Sequence, residues 1–430
     1  MSLFLSRKSF IQQGLAVAVT AMMMTSANAA TDKEEIQKLR EEVQGLKSLI
    51  QQQQNVQQKQ QILIEEVKLQ PVQVNVASIK PSLLSKAGAS VNLYGFVRAD
   101  AEYQFKGGNG IFNRINTVDK LASNEDRFYS TATTSRIGLD FTAPVTDAKV
   151  GGKIEIDFRG SGDTVRIRHA YLNYNNWLIG QTTSSFLSTE TQPEMLDFNA
   201  PLGIGTFRTP MVRYSDKINA TTQYQVGLEQ GRADNRFPAA TGKVSHKFAD
   251  GSGLITARAL IQEVRAREGL VILDPVTKKE SGYNSAYDDT SFGWGVGLGA
   301  NYKLSEQLLL NADYSHVKGD DKFLLYTDSA YTANAAKTDI KLNEFNAVTV
   351  GATYKINPKL RSTLGYGAIF YDDVAKTQND TLQQGWLNVM YNPTKPVTLG
   401  AEYVYGEREL GNGDIGGRDS RLGVMAKYDF

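Results

Sequence analysis

Apolar and polar residues alternate with a period of two through most of the chain from Val91 to Phe430. That period predicts strands with one apolar and one polar face. The final stretch is the clearest case. Leu422, Val424, Ala426, Tyr428 and Phe430 share one face, while Arg421, Gly423, Met425, Lys427 and Asp429 share the other. About sixteen such segments run from 91–105 to 419–430, each a weak signal alone but regular together. Short turns such as Asn175-Asn176, Asp250-Gly251-Ser252, Asn357-Pro358 and Asn392-Pro393 alternate with longer connections, including 106–132, 184–207, 266–289 and 319–343. An apolar outer face, short turns at one end and long loops at the other are the pattern of a membrane barrel. The predicted fold is therefore an all-β transmembrane barrel of about 16 antiparallel strands over residues 91–430. A barrel of that size encloses an aqueous channel rather than a side-chain core.

The chain before the barrel follows other periods. Arg7 and Lys8, an apolar stretch from Ile11 towards Met24 and the small residues Ala27-Asn28-Ala29 predict a secretory signal peptide over 1–29. Over 30–70 the period is seven, with Ile36, Val43, Ile50, Gln57 and Ile64 at one core position and Leu39, Leu46, Gln53, Gln60 and Val67 at the other. This predicts an α-helical coiled coil. Glu35 and Glu42 at g with Arg40 and Lys47 at e favour parallel copies, hence a homo-oligomer. Pro71 ends the helix, and 71–90 reads as a linker. The expected location is the outer membrane of a Gram-negative bacterium, with the coiled coil in the periplasm. Expected partners are outer-membrane lipid, other copies of the chain and, for the coiled coil, peptidoglycan.

Composition narrows the function. The 430 residues include 38 Gly, 20 Tyr and 18 Phe, which suits strands and aromatic girdles at two membrane interfaces. There is no Cys, which excludes a disulfide scaffold and thiolate metal sites. A net charge of +1 argues against nucleic acid as a partner. The three His, 169, 246 and 316, stand in no HExxH motif, and GxSxG and P-loop spacings are missing, so neither an enzyme nor a cofactor or metal is expected.

The polar faces carry the candidate chemistry. Strand parity turns Arg98, Arg136, Arg159, Arg166, Arg168 and Arg213 inward on the first, second, third, fourth and sixth strands. On the fourth, His169 and Tyr171 share the face of Val165 and Ile167, so a bulge would decide where Arg168 points. Guanidiniums bind carboxylate or phosphate bidentately and stay charged, and walls of them select anions. The opposing possibility is that lumen acids such as Asp100, Asp140, Glu155 and Asp157 neutralise them. The apolar residues of the 184–207 loop need burial, which predicts that it folds inward as a constriction. Its acids Glu190, Glu194 and Asp197 would then confront the arginines and set a transverse field. The function expected is passive passage of small anionic solutes, dicarboxylates first, with a phosphate-selective or non-selective pore as the alternative.

Several segments together resemble one family: VNLYGFVRADAEYQF at 91–105, TSRIGLDF at 134–141, VRIRHAYLNY at 165–174, PEMLDFNAPLG at 193–203, the heptad prefix and terminal Phe430. The chain resembles DcaP-type outer-membrane porins across its mature length. The resemblance implies a trimeric barrel and dicarboxylic-acid uptake. Arg98, Arg136, Arg166 and Arg168 lie inside matching segments, whereas Arg159 and Arg213 rest on face assignment alone.

Overall fold

The computed structural model describes residues 83–120, 125–199, 201–324, 330–334 and 339–430. The expected signal peptide over 1–29, the coiled coil over 30–70 and the linker as far as residue 82 lie outside them. The last residues of the linker fold back on the barrel, Leu83 and Leu84 pairing with Val91 and Ser90.

The barrel strands are β1 (Ser90–Lys106), β2 (Glu125–Thr131, resuming as Arg136–Thr142), β3 (Val150–Asp157), β4 (Arg166–Tyr174), β5 (Trp177–Thr183), β6 (Arg208–Lys217), β7 (Thr222–Glu229) and β8 (Ala239–Phe248). There follow β9 (Gly253–Leu273), β10 (Glu280–Lys303), β11 (Leu308–Lys318), β12 (Glu344–Asn357), β13 (Leu360–Asp372), β14 (Asn379–Tyr391), β15 (Val397–Leu410) and β16 (Ile415–Asp429). Each pairs antiparallel with its neighbours in sequence, and β16 pairs with β1 from Phe96–Asp429 to Lys106–Ser420, which closes the sheet. Phe430 seals the seam, exchanging backbone hydrogen bonds with Gly95 at 3.0 and 3.2 Å. There is no α-helix among the described residues.

Alternation holds as the sequence predicts. Val97, Ile154, Val226, Leu298, Leu364 and Val424 point out from the barrel and are exposed. Aromatics ring both rims: Tyr174, Trp177, Tyr302, Tyr391 and Tyr428 at the short-turn end, Phe105, Phe128, Phe292 and Phe370 at the long-loop end. The connection 266–289, expected as a loop, is instead mostly sheet. β9 and β10 continue beyond the apolar belt and pair as far as Leu273 and Glu280. Past the membrane neither face need be apolar, so the alternation that marked the strands ends before the hairpin does.

The lumen is not uniformly aqueous. Towards the loop end Ile115 and Val118 from loop 107–124, Phe186, Leu187 and Leu202 from loop 184–207, and Phe323 and Leu324 from loop 319–343 form one buried cluster. It packs on the inward faces of Leu260, Val317, Phe345, Ile369 and Leu382. Three infolded loops supply apolar surface that sixteen strands alone would leave hydrated.

Candidate functional site

The 184–207 loop lies inside the barrel, anchored strand by strand. Thr191 Oγ1 donates to Asp313 Oδ2 on β11 at 2.8 Å, and Thr349 Oγ1 on β12 donates to Leu202 O at 2.5 Å. Trp386 Nε1 and Asn388 Nδ2 on β14 each donate to Glu194 O at 3.0 Å. On β15 the buried Glu402 carboxylate accepts the backbone N–H of Leu196 at 2.7 Å and of Asp197 at 2.9 Å. Room for the loop comes from glycines on the inward faces. A Cβ at Gly299 would lie 2.7 Å from Thr191 Oγ1, one at Gly351 would collide with Pro193, and one at Gly367 with the Leu202 carbonyl. The glycine pleat at 293–299 is thus the empty side of a wall that receives a loop.

The three loop acids are spent on this anchoring, which corrects the expected transverse field. Glu190 pairs with Lys243 on β8 at 2.8 Å, Glu194 with Arg361 on β13 at 2.6 Å, and Asp197 with Arg421 on β16. Burial pushes the Glu190 carboxyl up, but the Lys243 ammonium outweighs it and holds the group below its ordinary value. What the loop presents to the arginines is a ring and a carbonyl. Phe198 lies 5.5, 5.1 and 5.6 Å from the guanidinium carbons of Arg98, Arg136 and Arg168, and Leu196 O accepts from Arg98 Nη2 at 2.6 Å.

The arginine wall is partly neutralised. Arg98 is bidentate to Asp100, Nη2 donating to Oδ1 at 2.6 Å and Nε to Oδ2 at 3.0 Å, and Thr134 Oγ1 fixes the same carboxylate at 2.7 Å. The interruption of β2 at 132–135 makes this possible, because Ser135 Oγ stands in for the ladder and accepts from Arg98 N at 3.0 Å. Arg166 is bidentate to Asp157 at 2.7 and 2.9 Å. Arg168 bridges Glu155 and Asp157 at 2.8 Å each. A bulge does occur on β4, where Glu155 and Ile156 pair with His169 and Ile167. Its effect is to leave Arg168 inward and turn His169 inward beside it, where His169 Nδ1 meets Thr182 Oγ1 at 2.9 Å. Arg136 is held loosely, 3.7 Å from Glu155 and 5.2 Å from the Phe96 ring.

A cavity of about 930 Å³ lies between this wall and the loop. Arg98, Arg136, Arg166 and Arg168 line it, as do Glu194 and Asp197. Arg159, Arg213 and Glu190 are outside its lining. Arg159 lies two residues beyond the end of β3 and packs on Phe112 of loop 107–124 at 5.5 Å, while Arg213 reaches the Thr183 carbonyl at 3.3 Å. Parity fixes a face but not a height, which explains both corrections. Strand reading missed Arg114, Arg208, Lys322, Arg361 and Lys427, all of which line the cavity. Lys427 was legible on the polar face of the last strand. Arg208 was not, because it opens β6 with the parity of the outward-facing Val212. No carboxylate among the described residues lies within 4 Å of Arg208. In all, nine Arg and Lys against two acids line the cavity.

A family profile described as DcaP outer membrane protein matches residues 16–430. The crystal structure of the outer membrane channel DcaP of Acinetobacter baumannii is 44% identical, covering 81% of this chain and 99% of that one, with a TM-score of 0.72. The chain belongs to the DcaP outer membrane protein family. More distant proteins share the fold of this DcaP-family barrel. OmpT of Vibrio cholerae, solved in a trimer form, is 15% identical over 80% of this chain and 99% of its own, with a TM-score of 0.53. OmpF of Salmonella typhi, solved with daunomycin, is 14% identical over 81% and 99%, with a TM-score of 0.54. These two show the fold alone. Among curated protein sequences, none matches.

Proposed function

We propose that the chain is a passive outer-membrane channel for small anionic solutes, dicarboxylates first, and that it acts as a homotrimer with its turn end and coiled coil in the periplasm. The observation that carries the reading is the charge of the cavity wall. Five guanidiniums, Arg98, Arg136, Arg166, Arg168 and Arg208, are served by three carboxylates, Asp100, Glu155 and Asp157. The surplus sits on Arg136 and Arg208. A narrow lumen of low effective dielectric strengthens the attraction of such a surplus for anions. Two loosely held guanidiniums suit a solute with two carboxylates better than one with a single charge, because each carboxylate can take one fork. The paired arginines keep binding shallow enough for release. Phosphate passage is the second reading and uses the same surplus.

The test is the reversal potential of purified protein in a planar bilayer under a KCl gradient, with and without succinate or adipate. Anion selectivity with diacid-induced current block, both reduced in Arg136→Gln and Arg208→Gln, supports the reading. Block by phosphate but not by diacid favours the second. Cation selectivity would mean that the surplus on Arg136 and Arg208 does not set the field along the passage, and would refute the reading.

A further inference from the structure

The outward side of β11 to β15 carries a groove of about 1040 Å³. Its shape follows from side-chain size along two rows of the sheet. In one row Gly385 on β14 pairs with Tyr366 on β13 and with Tyr405 on β15, so a glycine lies between two exposed rings. In the next, Ala352 on β12 lies between Leu310 and Leu364. Glycine inside a strand weakens it and marks a bulge, a bend or a close approach by another group. The ladders on both sides of Gly385 run past it without a register shift, and its φ is not positive. A Cβ there would meet only the Gly365 carbonyl oxygen, at 3.7 Å, whereas one at Gly351 or Gly367 would collide with the inward loop. Nothing within the chain therefore requires the notch, which leaves an approach from outside.

The groove is polar at one end only. Two residues from Gly385 towards the loops, Gln383 aligns with Glu407, and Glu407 with Arg418, all on the outward face. Tyr366 OH donates to Gln383 Oε1 at 3.2 Å, and Arg418 Nε donates to Glu407 Oε2 at 2.8 Å. Half of the Arg418 side chain stays exposed. Charges are tolerated on the outer wall where hydrocarbon gives way to head groups, and Phe370 of the loop-end aromatic ring pairs only two residues beyond Gln383, at Thr381. From Gln383 to Leu387 the groove runs four residues, about 13 Å, which is half of an apolar belt about 25 Å tall. Val389 and Tyr391, further down β14, are outside it. A groove that starts at head-group level and stops at mid-membrane has the length of one leaflet. The wall of another barrel would cross both leaflets, so a lipid fits these limits better than a second copy.

We propose that this groove seats one acyl chain of a phosphate-bearing lipid from the leaflet at the loop end, the chain crossing Gly385 between Tyr366 and Tyr405 and the phosphate meeting the Arg418 guanidinium. Arginine suits that contact because its planar fork matches phosphate oxygens. Glu407 then faces the rest of the head group, where it accepts from a hydroxyl or an ammonium. The inference concerns the outer wall and stands apart from the anion reading, which the bilayer measurement tests separately.

The experiment places the full-length protein in vesicles of phosphatidylethanolamine and phosphatidylglycerol that contain a trace of phosphatidylglycerol with a diazirine on one acyl chain. After illumination, mass spectrometry locates the lipid-labelled peptides. Label should concentrate severalfold on peptides carrying 364–366, 385–387 and 403–405 over those from the rest of the outer wall. Gly385→Leu fills the notch and should bring these peptides down to the level found elsewhere. Arg418→Gln should reduce their labelling roughly two- to fivefold, the worth of one exposed charge contact, and should not change labelling by a diazirine diacylglycerol, which lacks the phosphate. Even labelling around the barrel, or a Gly385→Leu variant labelled like the parent, would overturn the proposal. Labelling weaker here than elsewhere would assign the face to a second copy and overturn it too. The Arg418→Gln comparison between the two lipids keeps the test decisive if Gly385→Leu does not assemble.

Discussion

Glu402→Ala removes the acceptor that holds the middle of the inward 184–207 loop. The Glu402 side chain is buried, and its two oxygens take the N–H groups of Leu196 and Asp197 at 2.7 and 2.9 Å and Asn388 Nδ2 at 3.1 Å. Alanine cannot accept, so two buried backbone donors lose their partner at about 1–3 kcal/mol each, or about 2–6 kcal/mol together. At about 1.4 kcal/mol per factor of ten, local detachment of the loop becomes roughly thirty- to twenty-thousand-fold easier. Lumen water can replace part of the loss, which points to the lower half of that range. Amide exchange read by mass spectrometry tests this directly. Peptides covering 194–199 should exchange faster in the variant while strand peptides keep their protection. Glu402→Gln retains one acceptor and should fall between. Unchanged exchange at Leu196 and Asp197 would show that Trp386, Asn388 and Arg421 hold the loop without this carboxylate, and the reasoning would fail.

Three further outcomes follow from the same geometry. Phe198→Ala removes a ring shared by three guanidiniums but no charge, so single-channel conductance should rise with anion selectivity kept; a fall in selectivity would mean that the ring holds the arginines in place. Gly351→Val puts a side chain where Pro193 sits, and overpacking of about 1–3 kcal/mol should appear as a lower unfolding temperature by heat-modified gel mobility, with no change as the contrary result. Because Lys243 depresses the Glu190 carboxyl, that latch contributes stability above the ordinary glutamate value and loses it as pH falls through the lower folded value. Loop protection near 190 should therefore persist through mild acid and fail only below the usual glutamate range, whereas Lys243→Met should already have lost it at neutral pH.

The barrel was legible because lipid imposes one rule on every strand. Strand number, inward loop and closing strand all follow from alternation and turn length. The site was legible only in part. Arg98, Arg136, Arg166 and Arg168 could be found by parity, but their partners depend on registers that no single strand records: Asp157 serves two arginines because a bulge brings Arg168 beside Arg166. The loop acids looked like a field because sequence shows their charge and not the cations across the lumen that neutralise them. Arg208 escaped notice because the first residue of a strand has no neighbour on one side to fix its face.

The loop that folds into the lumen also joins the two ends of the sheet. Its residues 196 and 197 bond to Arg98 on the first strand and to Glu402 and Arg421 on the last two. These strands flank the line where the cylinder closes, so a segment from the middle of the chain bridges its first and last parts. Closure is thus reinforced from the inside by a third element, in addition to edge pairing. A substitution that frees the loop should therefore weaken the cylinder at that line before it weakens it elsewhere, which ties the shape of the passage to the integrity of the shell.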